Sequence, residues 1–540
     1  MTVEGLWYLR QNVQVEPLVD QWYAWPHLIS PATAARNLTD RHLKIMDSYI
    51  SAPDVHAAAA QNPSMAGGPF VDYPEPHVDE LRALRDTTCV KRQDLLELSA
   101  ALGELSQLLA EKAKGYAIQP LYAEIPDVLR GYVELTYDLA NQPSYRLIEP
   151  LLYGSRFYDS RAQTLMLSTI SGDDRPFVLS TPRLEMPGSL HVDWTFNDPR
   201  VDRLFRLKSR GQTWPEIRTL LDIPEDRDEA WRAFFTQEPP PVYQPYTGPG
   251  ARWRYFGHAC ILVETAGVSV LVDPVLSYTY ESAIARYTYA DLPDTIDFVL
   301  ITHNHQDHVL LETLLQIRHK VRHVLVPRNG TGQLQDPSLR LMLERIGFEN
   351  VRDIDELETV TFPNGSITGL PFLGEHADLA IATKRAYRVA AGGYGLMFAA
   401  DSCNVEPRLY QHLAKDIGPI DVLFLGMECE GAPLSWIYGP LLTQRLPHAM
   451  DMSRRLSGSN YTQAIAIVDA LRCRDVYVYA MGQEPWLNYV MSIKYTDQSR
   501  PIVDSNRLID VCRARGMEAE RLFGEREILL GVASLRTGAR

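Results

Sequence analysis

No run of about 18 apolar residues occurs in the 540-residue sequence, so no segment is expected to cross a membrane as a helix. The amino-terminal residues Met1-Thr2-Val3-Glu4-Gly5 lack both the basic and the apolar region of a secretion signal. Cysteine is scarce. The six present (Cys89, Cys260, Cys403, Cys429, Cys473 and Cys512) lie far apart in no paired pattern, which points to buried thiols in a reduced, cytoplasmic protein. Basic residues are outnumbered: 53 Lys and Arg against 68 Asp and Glu leave a formal net charge of -15. With no strongly basic run to compensate, this argues against nucleic acid as a partner. Gly-x-Gly-x-x-Gly and other nucleotide fingerprints are missing, and no repeat of roughly 20 to 50 residues is visible.

What is there reads as a globular protein, 45% apolar and 22% charged, too long for one ordinary core. Residues 1–236 carry no catalytic motif and are expected to form an α+β domain. Ser30-Pro31 caps and opens a helix toward Ile50. A longer helix is expected from Asp79 to Lys114, with Leu95, Leu98, Leu102, Leu105 and Leu109 as its core-facing seam. Phe177-Val178-Leu179 and Leu190-His191-Val192 read as short strands. Residues 237–250, rich in Pro and Gly, form an extended, stiff linker. From 251 to 540 the pattern turns regular. Arg254 to Val272 reads as a hairpin, and strands then alternate with helices: Ser338 to Ile346, Val422 to Leu425, Tyr461 to Leu471, Val476 to Tyr479 and Asn506 to Arg515. That alternation, in two halves each opened by hairpins, fits an α/β fold of the αββα sandwich type.

The chemistry concentrates after the apolar, β-branched run Ile296 to Ile301, in Thr302-His303-Asn304-His305-Gln306-Asp307-His308. A leucine-patterned helix follows, so these side chains sit on a strand-to-helix loop, where an α/β sheet presents its chemistry. His303 and His305, two apart on extended chain, can turn to one metal ion; Asp307 and His308 face a second. Asp401 ends another strand and can bridge two cations. Glu375 and its neighbour His376 compete for a further ligand position. Glu428, also past a strand, fits a ligand, a proton carrier or a salt-bridge partner.

The His-x-His-x-Asp-His string resembles the signature of the metallo-β-lactamase superfamily, and Gly257-His258-Ala259-Cys260 with Leu271-Val272-Asp273-Pro274 looks like its first hairpin. A closer, nearly end-to-end resemblance is to the diiron β-hydroxylases of nonribosomal peptide biosynthesis. It runs through Val15-Glu16-Pro17, Gly68-Pro69-Phe70, Ile148-Glu149-Pro150-Leu151, Leu370 to His376, Ser435 to Pro440 and Val476 to Gly482. The resemblance implies a carboxyl-terminal metallo-β-lactamase-like sandwich preceded by the α+β domain. It favours Glu375 as the ligand, with His376 and His258 in supporting positions. It also implies a monooxygenase that β-hydroxylates an amino acid held as a thioester on a carrier domain, with O2 as co-substrate.

The ligand balance decides between metals. Zinc hydrolases of the superfamily usually offer a late histidine, but here the late strand ends Tyr479-Ala480-Met481-Gly482. His303, His305, His308, Asp307, Glu375 and Asp401 make a carboxylate-rich shell suited to two iron ions. The missing nucleotide motif makes an external electron-donor protein the expected reductant. The alternative is a dinuclear zinc hydrolase, a thioesterase or lactonase. Trp436, Tyr438 and Trp486 are candidates for the channel wall or the core; Cys260 and Cys403 are not expected as ligands. For the amino-terminal domain, homodimerisation or carrier docking is expected. Arg318, His319, Lys320, Arg322 and Arg328, with Lys384, Arg385 and Arg388, form a candidate docking patch, set against the simpler reading of a solvated charged face.

Overall fold

Every parallel strand of the second half points its carboxyl end toward one edge of the molecule. In this computed structural model, which describes residues 5–531, two seven-stranded sheets pack face to face. The first runs Val351–Ile354, Val321–Pro327, Ile296–Leu300, Val268–Val272, Ile261–Thr265, Ala251–Tyr255 and Arg526–Leu530. The second runs Thr359–Phe362, Gly365–Leu370, Ala386–Ala391, Tyr394–Phe398, Val422–Gly426, Asp475–Tyr479 and Glu518–Arg521. Aromatic side chains fill the space between them. Trp253 meets Phe424 edge-on at 5.1 Å, and Phe398 stacks on Phe424 at 5.0 Å. Helices Arg408–Asp416, Tyr461–Leu471 and Arg500–Ala514 cover the outer face of the second sheet. This is the expected αββα sandwich.

The outer face of the first sheet is covered by helix Leu311–Ile317 and by the amino-terminal part of the chain. Trp22, Trp25 and Phe205 share one continuous apolar cluster with Leu271, Val299 and Leu314. The amino-terminal part is itself α+β, with a four-stranded sheet ordered Trp22–Tyr23, Val13–Val19, Gln163–Thr169 and Leu190–Val192. The leucine seam lies inside this part, against Ala32, Ala35 and Leu38. Several local expectations need correction. The long helix is two, Val78–Lys91 and Gln93–Lys112, broken at Arg92, whose guanidinium pairs with Asp20 at 2.8 Å. Helix Pro31–Asn37 continues through a π turn into Leu43–Ser51, and Ser30 opens it without a side-chain cap. The Ser30 hydroxyl donates instead to Glu149 at 3.2 Å. Phe177-Val178-Leu179 is a turn rather than a strand. Residues 237–250 contain no helix or strand and lie against the first sheet, Tyr243 bonding Glu264.

The docking patch is not one continuous free surface, because Arg318, Lys320 and Arg385 are buried while Arg322 and Arg328 are exposed. Arg318 is buried, paired with Asp202 at 2.9 Å and bonded to the Phe196 and Ile346 carbonyls. Lys320 is buried on the Pro293 carbonyl, and Arg385 on that of Lys384. Arg322 and Arg328 are engaged by Asp297 and Asp355. These cations brace the fold.

One buried cation makes stability depend on pH. Lys208 Nζ donates to the carbonyls of Gln11 and Val13, both at 3.3 Å, and burial lowers its pKa from 10.5 to about 7. A lysine with a depressed pKa contributes stability that is full above its unfolded value and is lost as pH falls through the folded one, by at most about 1.4 kcal/mol per unit. Lys208→Met removes that titration. The melting temperature of the variant should therefore gain on wild type as pH falls from about 10 to about 7; an offset that stays constant with pH contradicts it.

Candidate metal centre

The loop after strand Ile296–Leu300 turns back at its carboxyl end and gathers side chains from other strand ends around it. Val272 and Leu300 are register partners in parallel strands, so Asp273 and Thr302 follow side by side. Asp273 takes the Thr302 amide at 2.7 Å and the Thr302 hydroxyl at 2.6 Å, and His308 Nδ1 lies 2.8 Å from it. Thr302 Oγ1 is 3.0 Å from His303 Nδ1. With both Nδ1 atoms engaged, the Nε2 atoms of His303 and His308 face inward. His305 is turned the other way: its Nε2 meets the Tyr438 hydroxyl at 3.1 Å, and its Nδ1 lies 2.6 Å from Glu375 Oε1. Such outer hydrogen bonds fix the tautomer and direction of a ligating imidazole.

Three groups of donor atoms result, each within 4.8 Å of one another: His303, His305 and Glu375; His303, His308 and Asp401; and His258, Asp307 and His308. Asp401 Oδ2 sits between the imidazoles, 3.3 Å from His308 Nε2 and 3.9 Å from His303 Nε2. No helix begins at Asp401, so it is not a cap. His376 stands behind Glu375, its Nδ1 2.8 Å from Oε2, and His258 stands behind Asp307 at 3.0 Å. Seven residues converge: the six expected as ligands and His258, expected only in a supporting position. Asp273, Thr302 and the bond made by Tyr438 were not foreseen. Trp486 is core, and Trp436 lines the cavity described below.

The backbone around this cluster is strained where the strands end. His258, Asp273, Glu375, Ala377, Asp378, Ala400 and Ala480 all have positive φ, a conformation non-glycine residues keep only when the surroundings impose it. At Gly374, φ +73, an added Cβ would lie 2.4 Å from Cys403 Cβ, so the bend that aims Glu375 inward requires glycine.

The electrostatics match a cation site. Against the effect of burial, His305 and His376 hold the Glu375 carboxyl well below the usual range, and His308 and His258 do the same for Asp307. Burial opposes charge on His308, yet Asp401, Asp307 and Asp273 raise its pKa above the ordinary value. His303 Nε2, His308 Nε2 and Asp401 Oδ1 are buried with no hydrogen-bond partner, and the two Nε2 atoms face Asp401 Oδ2. Buried polar atoms without partners are costly, and metal ions satisfy this set of nitrogen and oxygen donors. Above it opens a cavity of about 470 Å³, walled by Ser64, Ala66 and Gly67 from the amino-terminal part and by Glu428, Trp436 and Tyr495 from the sandwich. Burial, then the neighbouring Asp401, push the Glu428 carboxyl up to about 8. Glu428 is not in any donor group, so among its three readings the ligand role loses support.

Fold and site together define a metallo-β-lactamase-superfamily protein, and residues 252–457 match the model of the beta-lactamase superfamily domain. Residues 8–239 match that of the diiron non-heme beta-hydroxylase N-terminal domain. The chain belongs to the diiron β-hydroxylase family and is an enzyme of that family. It is 42% identical over 531 residues to the 4-amino-L-phenylalanyl-[CmlP-peptidyl-carrier-protein] 3-hydroxylase of Streptomyces venezuelae, covering 97% of this chain and 99% of the relative. The crystal structure of CmlA, a diiron beta-hydroxylase from Streptomyces venezuelae, superimposes with a TM-score of 0.91 at 41% identity, over 98% of this chain and 100% of that one. A variant of CmlA gives 0.89 over 97% and 100%.

Proposed function

We propose that this enzyme β-hydroxylates an amino acid held as a thioester on the carrier domain of a nonribosomal peptide synthetase. The end-to-end match to a hydroxylase of carrier-bound substrate is the observation that carries this reading. In it, residues 1–236 form one domain and 251–540 the catalytic one, joined by 237–250. His303, His305 and Glu375 would hold one iron, Asp307 and His308 the other, and Asp401 would serve both, which their convergence supports. When bound, the iron pair supplies reduction of O2 with two electrons from an external donor protein. The protein's own residues do the rest. Asp273, Thr302 and Tyr438 keep the imidazoles aimed, and the roof of Ser64, Ala66 and Gly67 limits access of water to the β-carbon.

Glu428 stands at the cavity wall, where burial raises its carboxyl pKa and suits it to carry a proton. Glu428→Gln should retain the metal and lower turnover by roughly a hundredfold. Loss of metal in this variant would make Glu428 a ligand instead. A cytoplasmic location is supported by six free cysteines, and no helix among the described residues is long and apolar enough to cross a membrane.

The test is iron quantification, then mass spectrometry of aminoacyl carrier proteins after exposure to reductant and O2. Two irons and a product one oxygen atom heavier, still on its carrier, are expected. Tightly bound zinc with release of the free acid would restore the thioesterase alternative.

A further inference from the structure

The substrate of the reading above reaches the metals on a phosphopantetheine arm, whose phosphodiester is an anion. The floor of the cavity is itself anionic, with Asp307, Glu375, Asp401 and Glu428. Among the described residues, Arg455 and Lys494 are the Arg and Lys side chains that line this cavity. Among the described residues neither has a carboxylate within 4.0 Å. Arg455 is half-buried beside Glu428, whose pKa its charge pulls down, so it serves the interior. Lys494 is exposed. It also lines an adjoining groove of about 340 Å³ that shares Ala66, Gly67 and Ser492 with the metal cavity. Lys494 therefore stands on the rim between buried site and outer groove.

The two sides of that rim are built to stay close. Trp436 Nε1 donates to the Gly67 carbonyl at 2.9 Å, tying the amino-terminal strap to the sandwich. Gly67 has φ +75, and an added Cβ would lie 3.3 Å from Ser492 Cβ, so the strap passes Ser492 with its bare backbone. Ser492, φ 53, ends helix Asn488–Met491 and turns the chain so that Ile493, Lys494 and Tyr495 follow along the cavity.

We propose that Lys494 binds the phosphodiester of the phosphopantetheine arm at the mouth of the metal cavity. This rests on the carrier-bound substrate argued above. An ammonium with no internal partner is free to hold phosphate, and an acidic protein needs such a local cation to receive an anionic arm. Lys494 is a positioning residue here, acting on the arm and not on the reacting atoms.

The test compares one aminoacyl group on three thiols, with the diiron enzyme, reductant and O2: the carrier protein, free phosphopantetheine, and N-acetylcysteamine, which has no phosphate. Lys494→Glu should raise KM about tenfold or more for the first two, with kcat unchanged and with KM for the N-acetylcysteamine thioester unaltered. Lys494→Arg should behave as wild type. Equal effects on all three thioesters would overturn the proposal, as would no effect on any. An effect confined to the carrier protein would also overturn it, placing Lys494 on the protein surface contact instead of the phosphate. Wild-type enzyme inactive on every thioester would refute the hydroxylase reading itself.

Discussion

Asp401→Ala is expected to abolish turnover and to cut the metal content from two irons per chain to one at most. The carboxylate lies just past strand Tyr394–Phe398 and sits between imidazoles carried on a loop of the other sheet. Its Oδ1 has no hydrogen-bond partner, so its removal costs the fold little and costs the metals their common ligand. The amino-terminal part should stay folded. Metal analysis beside circular dichroism and thermal unfolding checks both halves of the expectation. A well-folded variant that still binds two irons would show that Asp401 does not span them.

Glu312→Ala is expected to destabilise the enzyme by about 3–5 kcal/mol, because it breaks a buried charge network and leaves a cation uncompensated. Glu312 lies on the helix that follows the metal loop, and its partners Arg175 and Tyr23 come from the amino-terminal part. Arg175 reaches it at 2.8 Å and also reaches Glu16 at 2.7 Å, while Arg183 holds Glu16 at 3.1 Å. The hydroxyls of Tyr23 and Tyr278 donate to the same carboxylate at 2.8 and 2.5 Å. Without it, two buried arginines share one carboxylate and two buried hydroxyls lose their acceptor. Chemical denaturation measures the loss, and a change below about 1 kcal/mol would mean that solvent enters and compensates. The network also explains why one apolar cluster runs across both parts of the chain: the helix behind the metal loop is held by residues far earlier in the sequence.

The metal cluster was legible because α/β sheets display chemistry just beyond strand ends, and apolar runs stopping at His303, Glu375 and Asp401 can be found by eye. Asp273 was equally visible as the end of a hairpin. Its task depended on the pairing of Val272 with Leu300, which no local pattern reveals. The basic patch was misread for a related reason. Charge spacing does not disclose burial, and Arg318 is covered by Phe196 and Asp202, more than a hundred residues away in sequence. The last helix begins at Arg500, earlier than the apolar periodicity suggested, although Ser499 and Pro501 carried the start signal. The contribution of Ser64, Ala66 and Gly67 to the cavity left no trace in sequence, since small residues in an irregular segment have no period to read.

The most direct test of the account uses oxygen-18 gas with reductant, the diiron enzyme and an aminoacyl carrier protein. One heavy oxygen should appear at the β-carbon of the amino acid, with the thioester to the carrier intact. Label drawn from water, or a free carboxylic acid released from the carrier, would contradict a hydroxylase and identify a hydrolase in its place.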